Sequence, residues 1–125
     1  MGGIVRAEDG RLLLVLRGQQ PAKGTWSVPG GRVHPGESDA EATAREVLEE
    51  TAVAVRVGRL AGTVERDAPG GGVYVIRDYL CEPVAEAVVR AGDDAADAAW
   101  FTVEELRGLT TAPGLVEALD GWGVL

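Results

Sequence analysis

Three carboxylates stand close together in the sequence: Glu46, Glu49 and Glu50. At 100° per residue, a helix that puts Glu46 at 0° puts Glu49 at about −60° and Glu50 at about +40°, so all three share one sector roughly 100° wide. Neighbours at i, i+3 and i, i+4 lie about 5–6 Å apart. At an effective dielectric near 20, each like-charge pair would cost on the order of 2–3 kcal/mol before screening. On an open surface water and salt remove most of that cost, and the sector is a solvated face. In a partly enclosed sector the repulsion calls for a divalent cation, and hard oxygen ligands with room for substrate phosphates suit Mg²⁺.

The elements that must position these residues are legible in part. Ser38-Asp39-Ala40-Glu41 matches a capping box, so a helix is expected from about Asp39 to Thr51. On its wheel Ala40, Ala44, Val47, Leu48 and Thr51 form the stripe expected against a sheet, with the carboxylates on the other face. Upstream, Pro29-Gly30-Gly31 and Glu37 lie in a Gly-containing loop that feeds the helix. Ile4-Val5 and Leu12 to Leu16, separated by Glu8-Asp9-Gly10, read as a hairpin whose second strand is buried on both faces. Gly18 to Gly24, with Pro21 inside it, reads as a loop, and Trp26-Ser27-Val28 as a short extended piece. Val53 to Val57 and Leu60 to Arg66 read as strand, 67–72 as a turn, and Val73 to Cys81 as the next strand. Val88-Val89 is a possible strand, Gly92-Asp93-Asp94 a loop, and Trp100-Phe101 the close of the sheet. A second capping box, Thr102 to Glu105, opens a short helix through Arg107, and Pro113 precedes a last one over Leu115 to Leu119. The expected class is α/β or α+β with a mixed sheet.

The chain has 125 residues, which suits one domain over 1–125. Its formal net charge of −8 would repel a phosphate backbone over most of the surface, so no DNA or RNA polymer is expected as a partner. A small anionic ligand stays open, because one bound divalent cation reverses the local field. No basic leader and no apolar run long enough to cross a bilayer is present, so no membrane partner is expected and the reading is cytoplasmic. The single Cys81 makes no internal disulfide and reads as a small core residue.

The segment from Gly31 to Val53, GRVHPGESDAEATAREVLEETAV, resembles the Nudix box: Gly, five residues, Glu, seven residues, Arg-Glu, an aliphatic, any residue, Glu-Glu, any residue, Gly and an aliphatic. Gly31, Glu37, Arg45, Glu46, Val47, Glu49, Glu50 and Val53 fall in register, and Ala52 stands where the family usually has Gly. The resemblance implies an α/β/α sandwich with the box as loop–helix–loop, and hydrolysis of nucleoside diphosphates linked to another group. It implies that Glu49 and Glu50 bind Mg²⁺ or Mn²⁺, that Glu46 is a further ligand or the base that activates water, and that the Gly30 carbonyl is an additional ligand. Arg45 and Glu37 would hold the ligating carboxylates. If position 52 has φ > 0, Ala there costs about 1 kcal/mol and moves no carboxylate.

Outside the box, Gly24 to Gly31, Asp78-Tyr79-Leu80 and Gly92 to Asp97 before Trp100-Phe101 look like short bacterial members assigned as ADP-ribose pyrophosphatases or generic Nudix hydrolases. This makes ADP-ribose, giving AMP and ribose 5-phosphate, the first substrate expected, and a nucleoside triphosphate, including an oxidised one, the second. A Nudix-shaped nucleotide-binding module without catalysis is a further reading, as is a non-enzymatic acidic domain that binds Ca²⁺ or a basic partner, though no EF-hand spacing supports the latter. Arg32 and Arg17 are candidates for a substrate phosphate and are also ordinary solvated arginines. Asp93, Asp94 and Asp97 could supply a late carboxylate or be only an acidic loop. Trp26, Tyr74 and Tyr79 could stack a base or belong to the core. His34 has no second His or Cys nearby for a zinc site. Nudix sheets often pair as homodimers, so a homodimer is a possible assembly.

Overall fold

A computed structural model describes residues 1–125 except Pro21 and Ala87. Its elements are β1 (Gly2–Val5), β2 (Leu12–Arg17), β3 (Trp26–Ser27), α1 (Asp39–Thr51), β4 (Val55–Asp67), β5 (Val73–Pro83), β6 (Ala95–Phe101), α2 (Val103–Arg107) and α3 (Leu115–Gly121). The strands form two three-stranded sheets, ordered β1-β5-β4 and β3-β2-β6. The first is mixed, since β1 runs parallel to β5 while β4 runs antiparallel to it. The second is antiparallel.

Both sheets contribute to each of two apolar clusters. Val5, Leu13 and Cys81 pack with Val47 of α1 and with Val53. Ile4, Leu12 and Leu14 pack with Leu106 of α2 and with Leu115 and Leu119 of α3. Adjacent residues of one strand point to opposite faces, so the sheet layer lies between α1 on one side and α2 with α3 on the other. This is the α/β/α arrangement.

The expected hairpin over 3–17 does not form as a strand pair. A tight turn is present, with the Gly10 N–H donating to the Ala7 carbonyl at 2.9 Å, and Arg6 bridges Leu12. Beyond that bridge the strands part, because β1 takes β5 as its partner and β2 takes β3 and β6. Four consecutive residues of each strand are buried, and each strand faces both clusters, which two strands of one exposed ribbon could not do. Val88 and Val89 form no strand. Val88 is 87% exposed, while Val89 packs on the α1-side cluster. Asp97 belongs to β6 rather than to the loop before it, and α3 continues to Gly121. The loop expected over Gly18 to Gly24 includes Pro21, which lies outside the described residues.

Helix α1 begins as its capping box requires: the Glu41 N–H donates to Ser38 Oγ at 3.1 Å, and the Ser38 N–H donates to Glu41 Oε1 at 3.0 Å. It ends at Ala52, which is left-handed with φ 64° and donates its N–H to the Leu48 carbonyl at 2.9 Å. The buried face is not the apolar stripe expected from the wheel. Ala40 and Leu48 are exposed, and Ala42, Thr43, Val47 and Thr51 are buried. The buried centre is rotated by roughly 60° towards the carboxylates. Two causes account for this. The Thr43 and Thr51 hydroxyls donate to the Asp39 and Val47 carbonyls at 2.8 and 2.6 Å, so both side chains pack as if apolar. Gly3 of β1 also lets the helix come close, since a Cβ there would stand 2.8 Å from Val47 Cγ2 and 3.1 Å from Thr43 Cγ2.

Candidate active site

The rotation of α1 places the three box glutamates in unequal surroundings. Glu49 is exposed, Glu46 is half-buried, and Glu50 is half-buried with its Oε2 accepting the Gly30 N–H at 3.1 Å. Burial is the main reason the Glu50 pKa is pushed up to about 7; the Glu46 and Glu49 charges add to it, while the Gly30 N–H and Arg17 oppose it.

Arg45 ties the box together. Its guanidinium donates to Glu37 Oε2 at 2.7 Å and Oε1 at 3.0 Å, to Glu46 Oε1 at 2.9 Å and to Glu49 Oε2 at 3.2 Å. A fifth bond, at 3.0 Å, runs to the Arg32 carbonyl and holds the loop. Only a planar fork with five donors makes this set. Glu37 also accepts the His34 N–H at 2.8 Å, and the Arg45 bonds with this one hold its pKa down to about 2. Glu37 therefore stays ionised over the whole working range and pins both ends of its own loop.

The loop is fixed from the other side by β1. The Gly3 N–H donates to the Pro29 carbonyl at 2.8 Å, and the Gly31 N–H donates to the Met1 carbonyl at 3.0 Å. A Cβ on Gly31 would lie 2.7 Å from the Glu46 carboxyl carbon. A side chain at position 31 would therefore push the Glu46 carboxylate aside. At the N-terminal end of α1, Asp39 accepts Arg77 Nε and the Tyr79 hydroxyl, each at 2.6 Å, which fastens the helix to β5.

Among the described residues, no three His, Cys, Asp or Glu side chains close into one metal cage. Arg45 engages Glu46 and Glu49, and the Gly30 peptide engages Glu50. Arg17 lines a cavity of about 680 Å³ that also borders Gly30 and Gly31. Arg32 reaches the box through its carbonyl, and its residue is exposed. Asp93 and Asp94 are exposed, and Asp97 Oδ1 accepts the Ala98 N–H at 2.8 Å. Their loop does meet α1, for the Gly92 N–H donates to the Glu50 carbonyl at 3.0 Å.

Trp26 packs in the core, edge-on to Phe101 with centroids 4.8 Å apart, and Tyr79 is held by Asp39. Of the three aromatics weighed for base stacking, Tyr74 is the one that lines the cavity. His34 is exposed, with Nδ1 3.8 Å from Glu37 Oε1. Cys81 is buried, and burial pushes its thiol up to about 12. Asp78, which the sequence singled out only as part of the Asp78-Tyr79-Leu80 resemblance and without a role in the site, is buried on the cavity wall; a single carboxylate inside a β-branched strand pattern is the signal that could have marked it.

The site is thus a helix of glutamates clamped by one arginine on an α/β/α layer, with a glycine loop and a cavity beside it. The NUDIX domain matches residues 1–120, and the chain belongs to this family. It is similar to a MutT-like protein of Streptomyces ambofaciens, with 36% identity over 98% of this chain and 77% of that protein. It is also similar to an ADP-ribose pyrophosphatase of Methanocaldococcus jannaschii, with 36% identity over 86% of this chain; the match spans 63% of that relative. In fold it resembles a NUDIX hydrolase from Nitrosomonas europaea, with a TM-score of 0.82, 24% identity, and coverage of 98% of this chain and 85% of the other. The chain is a Nudix hydrolase, a family that acts on nucleoside diphosphate derivatives and generally uses divalent metal ions.

Proposed function

We propose that this protein hydrolyses the phosphoanhydride bond of a nucleoside diphosphate derivative with Mg²⁺, and that ADP-ribose is its preferred substrate. The observation that carries this reading is the Arg45 fork: one side chain fixes Glu37, Glu46 and Glu49 together beside a half-buried Glu50. The ADP-ribose pyrophosphatase relative supports the choice of substrate.

The residues fit a hard divalent cation in donor type. Glu46, Glu49, Glu50 and the Gly30 carbonyl are all oxygen donors, and Glu50 is a carboxylate whose ionisation burial opposes until positive charge arrives. Bound there, Mg²⁺ would neutralise the charge that builds on the two phosphates; Mn²⁺ suits the same donors. Glu46, whose orientation Arg45 fixes, is the group that accepts a proton from the attacking water. The water oxygen bonds to one phosphorus, the bridging oxygen departs with the other phosphate, and attack at either phosphorus gives AMP and ribose 5-phosphate. Glu37 and Arg45 hold the loop and carboxylates in register. Arg17 lines the cavity together with Gly30 and Gly31, which supports a role in binding a phosphate, and Arg32 contributes through the loop.

Chromatographic and phosphorus NMR analysis of products from ADP-ribose, NADH, a diadenosine polyphosphate and a set of nucleoside triphosphates tests this reading. AMP and ribose 5-phosphate from ADP-ribose, formed with Mg²⁺ and not with EDTA, is the expected result. Faster turnover of a triphosphate would replace the substrate assignment, and nucleotide binding without turnover would make the chain a binding module.

A further inference from the structure

The last turn of α1 carries Glu49 and Glu50, and its end is closed by a segment far along the chain. The last carbonyls of a helix have no partner within it. Here the Leu48 carbonyl accepts the Ala52 N–H at 2.9 Å, the Glu50 carbonyl accepts the Gly92 N–H at 3.0 Å, and the Thr51 carbonyl accepts the Arg90 N–H at 2.9 Å. Ala52 closes the helix in the left-handed conformation, which is strained for a residue with a Cβ. The helix's own cap is therefore weak, and residues 90–92 supply the rest of it from outside.

Gly92 is a glycine for reasons of space. Its φ lies outside the left-handed region, yet a Cβ there would run into the Glu49 carbonyl oxygen and stand 3.3 Å from Glu50 Cα. Both are backbone atoms, which no change of rotamer moves aside. Only a residue without a side chain lets the main chain lie this close to the turn. The loop's other end is held as well. The Ala95 N–H donates to the Gly92 carbonyl at 3.2 Å, Ala95 pairs with Arg17 of β2, and a Cβ on Gly18 would stand 3.1 Å from the Asp94 carbonyl oxygen. Arg17 in turn lines the cavity with Gly30 and Gly31. The loop thus joins the end of α1 to the end of β2 beside the cavity, and does so through peptide groups, while Asp93 and Asp94 are exposed.

We infer that Gly92 is a positioning residue for metal binding: its main chain holds the last turn of α1, and with it Glu49 and Glu50, in the arrangement that takes a divalent cation. The inference rests on the proposed metal-dependent hydrolysis and adds what the loop after β5 does in it, by its backbone rather than by the Asp93 or Asp94 carboxylate. Carboxylates on a fixed backbone bind a cation without first ordering that backbone, so loosening the turn weakens the cation. Linkage makes the effect reciprocal, and a bound cation must tighten the contact in its turn.

Mn²⁺ titrations followed by electron paramagnetic resonance, which report free ion without turnover, test it in Gly92→Ala beside Asp93→Asn and Asp94→Asn. The expected result is about tenfold or more weaker Mn²⁺ binding in Gly92→Ala, with both aspartate variants within about threefold of the unaltered protein. In steady-state assays Gly92→Ala should need about tenfold more Mg²⁺ to reach half its maximal rate, with the nucleotide KM at saturating Mg²⁺ within about threefold, a shift that mere loss of folded protein would not produce. Amide exchange in the unaltered protein, followed by NMR, decides the matter should Gly92→Ala not fold. The Arg90 and Gly92 amides should exchange about 100-fold or more slower than in an unstructured chain, and saturating Mg²⁺ should slow Gly92 by about threefold further. Unchanged Mn²⁺ binding in Gly92→Ala, a loss as large in Asp93→Asn or Asp94→Asn, or Gly92 exchange that Mg²⁺ does not alter overturns the inference. The two readings fail separately. Mn²⁺ binding that depends on Gly92 in a protein that hydrolyses no nucleotide removes the hydrolase assignment and leaves this one. Metal-dependent hydrolysis with Mn²⁺ binding indifferent to Gly92→Ala removes this one and leaves the hydrolase.

Discussion

Glu50→Gln is expected to make the protein more stable and inactive at the same time. Burial, with the Glu46 and Glu49 charges behind it, pushes the Glu50 carboxyl from 4.5 up to about 7. The folded state thus holds this proton more tightly than the unfolded chain does. Stability falls as pH rises from about 4.5 to about 7, and the full penalty persists above that window. At 1.36 kcal/mol per pKa unit this is about 3 kcal/mol, and the group's remaining solvent contact reduces it to about 1–2 kcal/mol. The Gln side chain removes the charge and keeps an oxygen that can accept the Gly30 N–H. With an unfolding entropy near 2.1 cal/mol/K per residue, 125 residues give about 0.26 kcal/mol/K, so Tm should rise by about 4–8 °C. Thermal melts followed by circular dichroism in EDTA check this at pH 8, where the difference should be full, and at pH 4.5, where it should vanish. Added Mg²⁺ should raise the Tm of the unaltered protein more than that of the variant. Equal melting at pH 8, or a less stable variant, would refute the reasoning.

Three further outcomes are expected. Ala52→Gly removes a left-handed alanine at the end of α1 and should add about 1 kcal/mol, or about 4 °C of Tm, with unchanged kcat; calorimetry and a rate measurement check both. Arg45→Lys keeps the charge but cannot bond Glu37 twice and also reach Glu46, Glu49 and the Arg32 carbonyl, so kcat should fall by about 10–100-fold while the circular dichroism spectrum is retained. Gly31→Ala sets a methyl 2.7 Å from the Glu46 carboxyl carbon and should lower kcat about tenfold or more with KM nearly unchanged, as steady-state kinetics would show.

What was legible in the sequence was local. The Ser38 and Thr102 capping boxes are decided within four residues, and both form as written. The relative angles of Glu46, Glu49 and Glu50 follow from helix geometry alone. Which side of that helix is buried does not, because Thr43 and Thr51 lose their polarity to carbonyls four residues back and Gly3 decides where the helix rests. The same limit explains the misplaced hairpin. A turn at Glu8-Asp9-Gly10 can be read locally, whereas the parallel pairing of Gly2 with Asp78 spans most of the chain and leaves no periodic trace. The burial of Asp78 was not legible for the same reason: it depends on Gly2 and on the parallel pairing with β1, not on its neighbours in sequence.

The central claim is that the box carboxylates carry a metal-dependent hydrolysis that Arg45 organises. Turnover of ADP-ribose by the unaltered protein and by Glu49→Gln, each with Mg²⁺ and with EDTA, tests it most directly. Glu49 is exposed on α1, so its replacement leaves the packing intact. AMP release that requires Mg²⁺ and falls by at least about 100-fold in a variant with an unchanged melting curve is the predicted result. Turnover that persists in EDTA, or a variant as active as the unaltered protein, would contradict it.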